Sequence, residues 1–194
     1  MTEPTELCLI AERYGTDKCP AIGHSYTPFY HQLFGVRRKD ILKVVEFGIG
    51  GARMVEKVAN YRPGASLRMW RDYFPFAQIY GVDNDPACLF SDNRISTFLC
   101  DEHDLARVRA LIEQLGAHAI DLVIDDASHR YWDQVALAAT VRPLLRRDAV
   151  YVIEDVHWTR RIADALPGFG CVSPALEGRR PEIRSNKLML VEAI

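Results

Sequence analysis

No apolar run in this 194-residue chain approaches the roughly 20 residues that a membrane span needs. Its start, Met1-Thr2-Glu3-Pro4-Thr5-Glu6, is acidic where an export signal is basic. Both absences predict a cytosolic protein with no membrane partner. Neither sign of charge is in excess: 24 Lys and Arg against 26 Asp and Glu leave a net charge of -2, which gives no electrostatic pull toward nucleic acid or anionic lipid. Cysteine is sparse and scattered. The five thiols (Cys8, Cys19, Cys88, Cys100, Cys171) are odd in number and lack any C-x-x-C pair, so they read as reduced, without a zinc site, and Cys88 and Cys100 as packing residues. Repeats, low-complexity tracts and an interdomain linker are also missing. With 48% hydrophobic residues, the length suits one domain over 1–194: a sheet core from 41 to 194, and an N-terminal segment, 1–40, folded over its crevice as a helical cap.

What is present is organised around Lys43 to Gly51, K-V-V-E-F-G-I-G-G. Val44, Val45, Phe47 and Ile49 suit a buried parallel strand, and Gly48, Gly50 and Gly51 remove Cβ atoms where a backbone lets a ligand approach. The dinucleotide fingerprint needs a glycine where Arg53 stands, and Glu46 lies two places before the first glycine; this favours S-adenosylmethionine (SAM) over NAD. A second strand, Gln78 to Val82, ends in Asp83, placed to accept the hydroxyls of an adenosine ribose; the other reading is a solvated acid in the Asp83-Asn84-Asp85-Pro86 turn. Glu46, Gly48, Gly50 and Asp83 are therefore the expected cofactor contacts.

Around that stretch, apolar spacing predicts helices over Glu6–Tyr14 and Pro28–Phe34, and a third capped by Ser66, stopped by Pro75 and reached through a detour at 52–65. Ser66 is also counted as a cofactor contact. Ala87–Asp92 reads as a short helix, and Ile95–Cys100 as a strand whose end sets Asp101 toward the adenine. A helix from Leu105 to Leu115, a strand from Ala119 to Ile124, a helix from Tyr131 to Leu145 and a strand from Ala149 to Ile153 follow. The alternation implies an α/β fold, a doubly wound, mostly parallel sheet with helices on both faces. Gly170–Ser173 and Lys187–Val191 suggest an antiparallel strand pair at the C-terminal edge.

The fourth and fifth strands end in Asp125-Asp126-Ala127-Ser128-His129 and Glu154-Asp155-Val156-His157. On neighbouring parallel strands, Asp126, Glu154 and Asp155 converge. Carboxylates that close repel one another, and a Mg²⁺ ion, bound by hard oxygens, removes the conflict. The alternative is that they cap helices or meet Arg160 or Arg161. Asp125 points to the other face. His129, three residues after Asp126, suits a general base for a hydroxyl acidified by the ion, with His157 as competitor.

Seven segments then occur in order: Y-G-T-D-K (14–18), H-S-Y-T-P-F-Y (24–30), E-F-G-I-G-G (46–51), G-A-S-L-R-M-W-R-D-Y-F-P (64–75), I-Y-G-V-D (79–83), I-D-D-A-S-H (124–129) and Y-V-I-E-D-V-H (151–157). Together they resemble the metal- and SAM-dependent sugar O-methyltransferases that act on macrolide glycosides, the mycinamicin and macrocin type. The resemblance implies a class I methyltransferase fold, SAM over Glu46 to Gly51 and Asp83, and Mg²⁺ on Asp126, Glu154 and Asp155. It also implies His129 as base, with Thr16 and Lys18 as further cofactor contacts. The expected activity is O-methylation of a sugar hydroxyl on a glycoside or short oligosaccharide. A catechol-type methyltransferase, whose second metal pair is Asp-Asn rather than Glu154-Asp155, a nicotinamide oxidoreductase and a non-catalytic SAM- or sugar-binding module are the rivals. Aromatic residues crowding the N-terminal segment leave homodimerisation open.

Overall fold

The computed structural model describes residues 3–50, 61–177, 183 and 185–194; residues 52–60 of the expected detour and the Gly178 to Pro181 turn lie outside them. Strands β1 (Lys43–Phe47), β2 (Gln78–Asp83), β3 (Ser91–Asp92), β4 (Ile95–Leu99), β5 (Leu122–Asp125), β6 (Val150–Ile153), β7 (Phe169–Val172) and β8 (Met189–Ala193) form one sheet in the order β3-β4-β2-β1-β5-β6-β8-β7. The pairs β2–β4, β1–β2, β1–β5 and β5–β6 are parallel, while β3, β7 and β8 pair antiparallel at the edges. From β1 the chain builds outward to β4 and then returns to lay β5 on the other side. That reversal opens a crevice beyond the carboxyl ends of β1 and β5, where this class of sheet binds ligands.

Because side chains alternate across a strand, each strand supplies two cores. Val44, Ile79, Ile95, Leu122, Ile124 and Val152 pack under α1 (Glu6–Tyr14), α2 (Tyr26–Phe34) and α3 (Ala65–Tyr73). Val45, Phe47, Val82, Val123 and Ile153 pack under α4 (Leu105–Gln114), α5 (Tyr131–Val141) and α6 (Thr159–Ala165). On the first face Tyr30 meets Trp70 edge to face with ring centroids 5.0 Å apart. No helix among the described residues is long and apolar enough to cross a membrane.

Several boundaries differ from the sequence reading, each for a local reason. Helix α2 begins two residues before Pro28, since a first-turn proline lacks only an N–H that has no partner inside the helix. The cap of α3 is Gly64 at φ 76°, not Ser66. Gly64 N–H donates to Ile49 O over 2.8 Å and so ties the helix start to the end of β1. In place of the short helix at 87–92 there are a 3₁₀ turn, Pro86–Cys88, and then β3. Arg94 at φ 57° closes the β3–β4 hairpin, and its guanidinium donates to the carbonyls of Arg71, Phe74 and Ala77. Helix α6 was not anticipated: Ile162 is its one buried residue, too little for a periodic apolar signal.

Candidate active site

At the switch point lies a cavity of about 700 Å³, walled by the loop between α1 and α2 and by the carboxyl ends of β1, β2, β4, β5 and β6. Gly48 and Gly50 have φ of +80° and +85°. A Cβ on Gly48 would collide with the backbone carbonyl of Asp126, and one on Gly50 with the Tyr61 hydroxyl. Asp83 faces the cavity held at both oxygens: Ile49 N–H donates to Oδ2 and Asp85 N–H to Oδ1, each over 2.9 Å. Each carboxylate oxygen keeps a second lone pair for a ligand hydroxyl. Thr16 and Ser66 also line the cavity.

Two of the expected cofactor contacts lie elsewhere. Glu46 has the parity of Val44, so it points into the first core, fully buried, where its Oε2 accepts from Trp70 Nε1 over 2.9 Å. Asp101 turns outward, and its Oδ1 accepts from His103 N–H. His103 reaches on to Asp133 Oδ2 at 3.2 Å, and the hydrogen bonds it donates to Asp101 and Asp133 raise its pKa. The residues of that strand end that face the cavity are Cys100, Glu102 and His103.

At the other end, the parallel ladder runs past β5 and β6. Asp126 N–H donates to Phe47 O and Glu154 N–H to Asp125 O, each over 2.9 Å. Asp126, His129 and Asp155 each offer a donor atom, all within 4.8 Å of one another. His129 and Asp155 adopt left-handed backbone, at φ 58° and 52°, a strained conformation for non-glycine residues that recurs at functional sites. His129 Nε2 stands 3.6 Å from Asp155 Oδ2, and its Nδ1 4.0 Å from Asp126 Oδ1. Asp155 is fixed from α2: Tyr26 donates its hydroxyl proton to Oδ1 over 2.9 Å, and His24 Nδ1 is 3.3 Å from the same oxygen. Burial, with Asp155 beside it, pushes the Tyr26 phenol far up, so it remains a donor.

Glu154, expected beside the two aspartates as a third ligand, is already engaged. Its Oε1 accepts from the Tyr30 hydroxyl at 2.6 Å, and its Oε2 lies 2.5 Å from Lys18 Nζ. Lys18, expected against the cofactor, also contacts Asp126 Oδ2 at 2.6 Å and Glu46 Oε1 at 3.2 Å while itself 2% exposed. Burial pulls the ammonium pKa down, but Asp126, Glu154 and Glu46 outweigh it and hold Lys18 well above the ordinary lysine range. Burial drives Glu154 the other way, upward, with Lys18 opposing. Much of the carboxylate repulsion that the sequence assigned to a metal ion is thus relieved by a lysine. The sequence reading also missed the polar roles of Tyr26 and Tyr30; Tyr30 fell on the apolar face of its helix, and nothing local marks a hydroxyl aimed at a strand end more than a hundred residues on.

Asp125 does face away from this cluster, buried on the second face, with Oδ2 unpartnered among the described residues. Burial pushes its carboxyl up to about 8. Between about pH 4 and that value the unfolded chain is ionised while the folded one keeps its proton, so stability falls as pH rises across this window. Asp125→Asn removes the penalty. We expect thermal melts of wild type and variant to coincide near pH 4, and the variant to be more stable at pH 8 by on the order of a few kcal/mol.

No protein-family model matches the chain. Among curated proteins it is 36% identical over 189 residues to the 8-demethyl-8-(2-methoxy-alpha-L-rhamnosyl)-tetracenomycin-C 3'-O-methyltransferase of Streptomyces olivaceus, covering 97% of this chain and 45% of that protein. It is 34% identical over 165 residues to the Mycinamicin VI 2''-O-methyltransferase of Micromonospora griseorubida, covering 85% of this chain and 38% of that one. Over this stretch the chain is similar in sequence to sugar O-methyltransferases. Among solved structures, the MycE methyltransferase of the mycinamycin biosynthetic pathway, in complex with Mg and SAH, superposes with a TM-score of 0.74 at 25% identity, over 98% of this chain and 55% of its own. The sheet and its flanking helices are those of class I SAM methyltransferases. The chain spans less than half the length of these curated sugar O-methyltransferase relatives.

Proposed function

We propose that this chain carries out SAM- and Mg²⁺-dependent O-methylation of a sugar hydroxyl on a glycoside or short oligosaccharide. The observation that carries the reading is the meeting of Asp126, Asp155 and His129 in the same cavity as Gly48, Gly50 and Asp83. The fit to both groups is chemical. Two aspartates offer hard oxygens for Mg²⁺, and His129 Nδ1 and His24 Nδ1 are buried without a hydrogen-bond partner among the described residues. Gly48 and Gly50 line the cavity beside Asp83, whose carboxylate keeps free lone pairs for the ribose hydroxyls of SAM. The relatives named above methylate sugar-bearing natural products by their own descriptions.

When bound, SAM supplies the methyl group and Mg²⁺ makes the acceptor hydroxyl more acidic. Asp83 would accept the ribose hydroxyls, and Thr16 and Ser66 line the same cavity. Asp126 and Asp155 would hold the ion, with Glu154, paired with Lys18 here, as the third acid at these strand ends. His129 takes the hydroxyl proton at Nε2, and the charges of Asp155 and Asp126 on either side of the ring stabilise the imidazolium. Tyr26 keeps Asp155 in place.

Calorimetric titration with SAM and with NADH, followed by labelled methyl transfer to a panel of glycosides and aromatic diols, tests the reading. SAM binding, transfer to a glycoside and its loss in EDTA are the expected results. Binding of NADH in place of SAM, transfer only to the aromatic diols, or undiminished transfer in EDTA would overturn it.

A further inference from the structure

Two stretches of the cavity lining are joined through one imidazole. On the β4 side, His103 Nδ1 lies 2.7 Å from Asp101 Oδ1; toward β5, its Nε2 lies 3.2 Å from Asp133 Oδ2 in the first turn of α5. The same Asp133 Oδ2 accepts from the Ser128 hydroxyl over 2.6 Å, and Asp133 N–H donates to Arg130 O over 3.1 Å. His129 is thus bracketed, since the residue before it and the residue after it are both tied to Asp133. We propose that His103, in its charged form, is a positioning residue that anchors Asp133 to the turn after β4 and so holds the 126–129 loop, with Asp126 and His129, in its working place. This rests on the reading of His129 as the base given above.

Charge and strain carry the inference. The charged groups that act most on His103 are all acids: Asp101 and Glu102 from its own turn and Asp133 from α5. To donate to two carboxylates at once the ring must carry both protons, because a neutral imidazole donates at one nitrogen and turns a lone pair on the other toward an anion. The charged ring therefore pulls Asp101 and Asp133 together, while the neutral ring attracts one and repels the other. The hydrogen bond to Asp101, and after it the one to Asp133, raise the pKa of His103. The strap is thus complete below the ordinary histidine pKa of about 6.5 and is lost as pH climbs through the raised value. What it restrains is a strained turn. His129 at φ 58° keeps a left-handed backbone only while its surroundings hold it there, and Arg130 N–H, donating to Ser128 Oγ over 3.3 Å, closes the turn from within. Asp133 is 18% exposed and His103 48%, so solvent weakens each arm, and the strap changes the population of the working loop by a few-fold rather than by orders of magnitude.

The experiment uses the whole chain, with SAM, a glycoside that wild type accepts, and Mg²⁺ or its stand-in Mn²⁺ all saturating. The ratio of wild-type kcat to that of His103→Ala should be about fivefold near pH 6 and should close to about one near pH 9, where the two arms of the neutral ring cancel. Titration of the base itself divides out of this ratio. A side chain that merely packed would give the same ratio at both pH values, and a flat ratio overturns the inference. The ring signals of His103, followed by NMR against pH, give a readout independent of turnover. They should titrate above the ordinary histidine range in wild type and at lower pH in Asp133→Asn, whose amide oxygen can still accept from Ser128. A titration that does not move overturns the inference as well. If wild type methylates no glycoside, the proposed activity fails and this inference with it, whereas an active wild type with a flat ratio sinks the inference alone.

Discussion

His129→Ala should lower the rate of methyl transfer by about 10²–10⁴-fold, the usual contribution of a general base, while SAM binding measured by calorimetry stays within a factor of about two. The separation follows from geometry. His129 stands against Asp126 and Asp155 at one end of the cavity, whereas Asp83 and the glycine turn form the other. Alanine keeps the Cβ that strains the left-handed backbone at φ 58°, so the substitution leaves that strain in place and removes only the imidazole. If His129→Ala keeps full turnover, the proton goes elsewhere, and His24 and His157, which also line the cavity, become the candidates.

Gly48→Ala should be the most damaging small substitution in the sheet. The added Cβ meets the Asp126 carbonyl, which is backbone and cannot rotate aside, at a φ of +80° that alanine tolerates poorly. We expect a loss of roughly 2–4 kcal/mol, seen as a fall in Tm of about 5–15 °C, with SAM and Mn²⁺ affinity falling together because the clash lies between the two half-sites. Gly116→Ala is the control. It has a similar φ of +77°, but its Cβ would meet nothing nearer than Lys43 Nζ at 3.5 Å, so it should cost about 1 kcal/mol of backbone strain alone. Equal losses at the two positions would show that φ, and not the close approach of β1 to the Asp126 loop, explains the glycine.

The sheet was legible because its evidence is local. Each parallel strand is a short apolar run that ends in an acid or glycine, and strand alternation was enough to send Asp125 to the far face. The edges were less legible: β3 has only two residues, and α6 buries one side chain. Within the site, strand position brought Asp126 and Asp155 together, but the same parity rule, applied to Glu46, would have turned it into the core under Trp70 and out of the cavity lining. Lys18 escaped for a different reason. Its partners Asp126 and Glu154 lie 108 and 136 residues further on, and no spacing rule joins a loop lysine to strand ends at that range.

That separation has a consequence for how the protein comes into being. During synthesis Lys18 leaves the ribosome 136 residues ahead of Glu154. Until Glu154 follows, the wall carrying Lys18 lacks its ion pair at the end of β6, so that side of the pocket can be fastened only after the strand has been made.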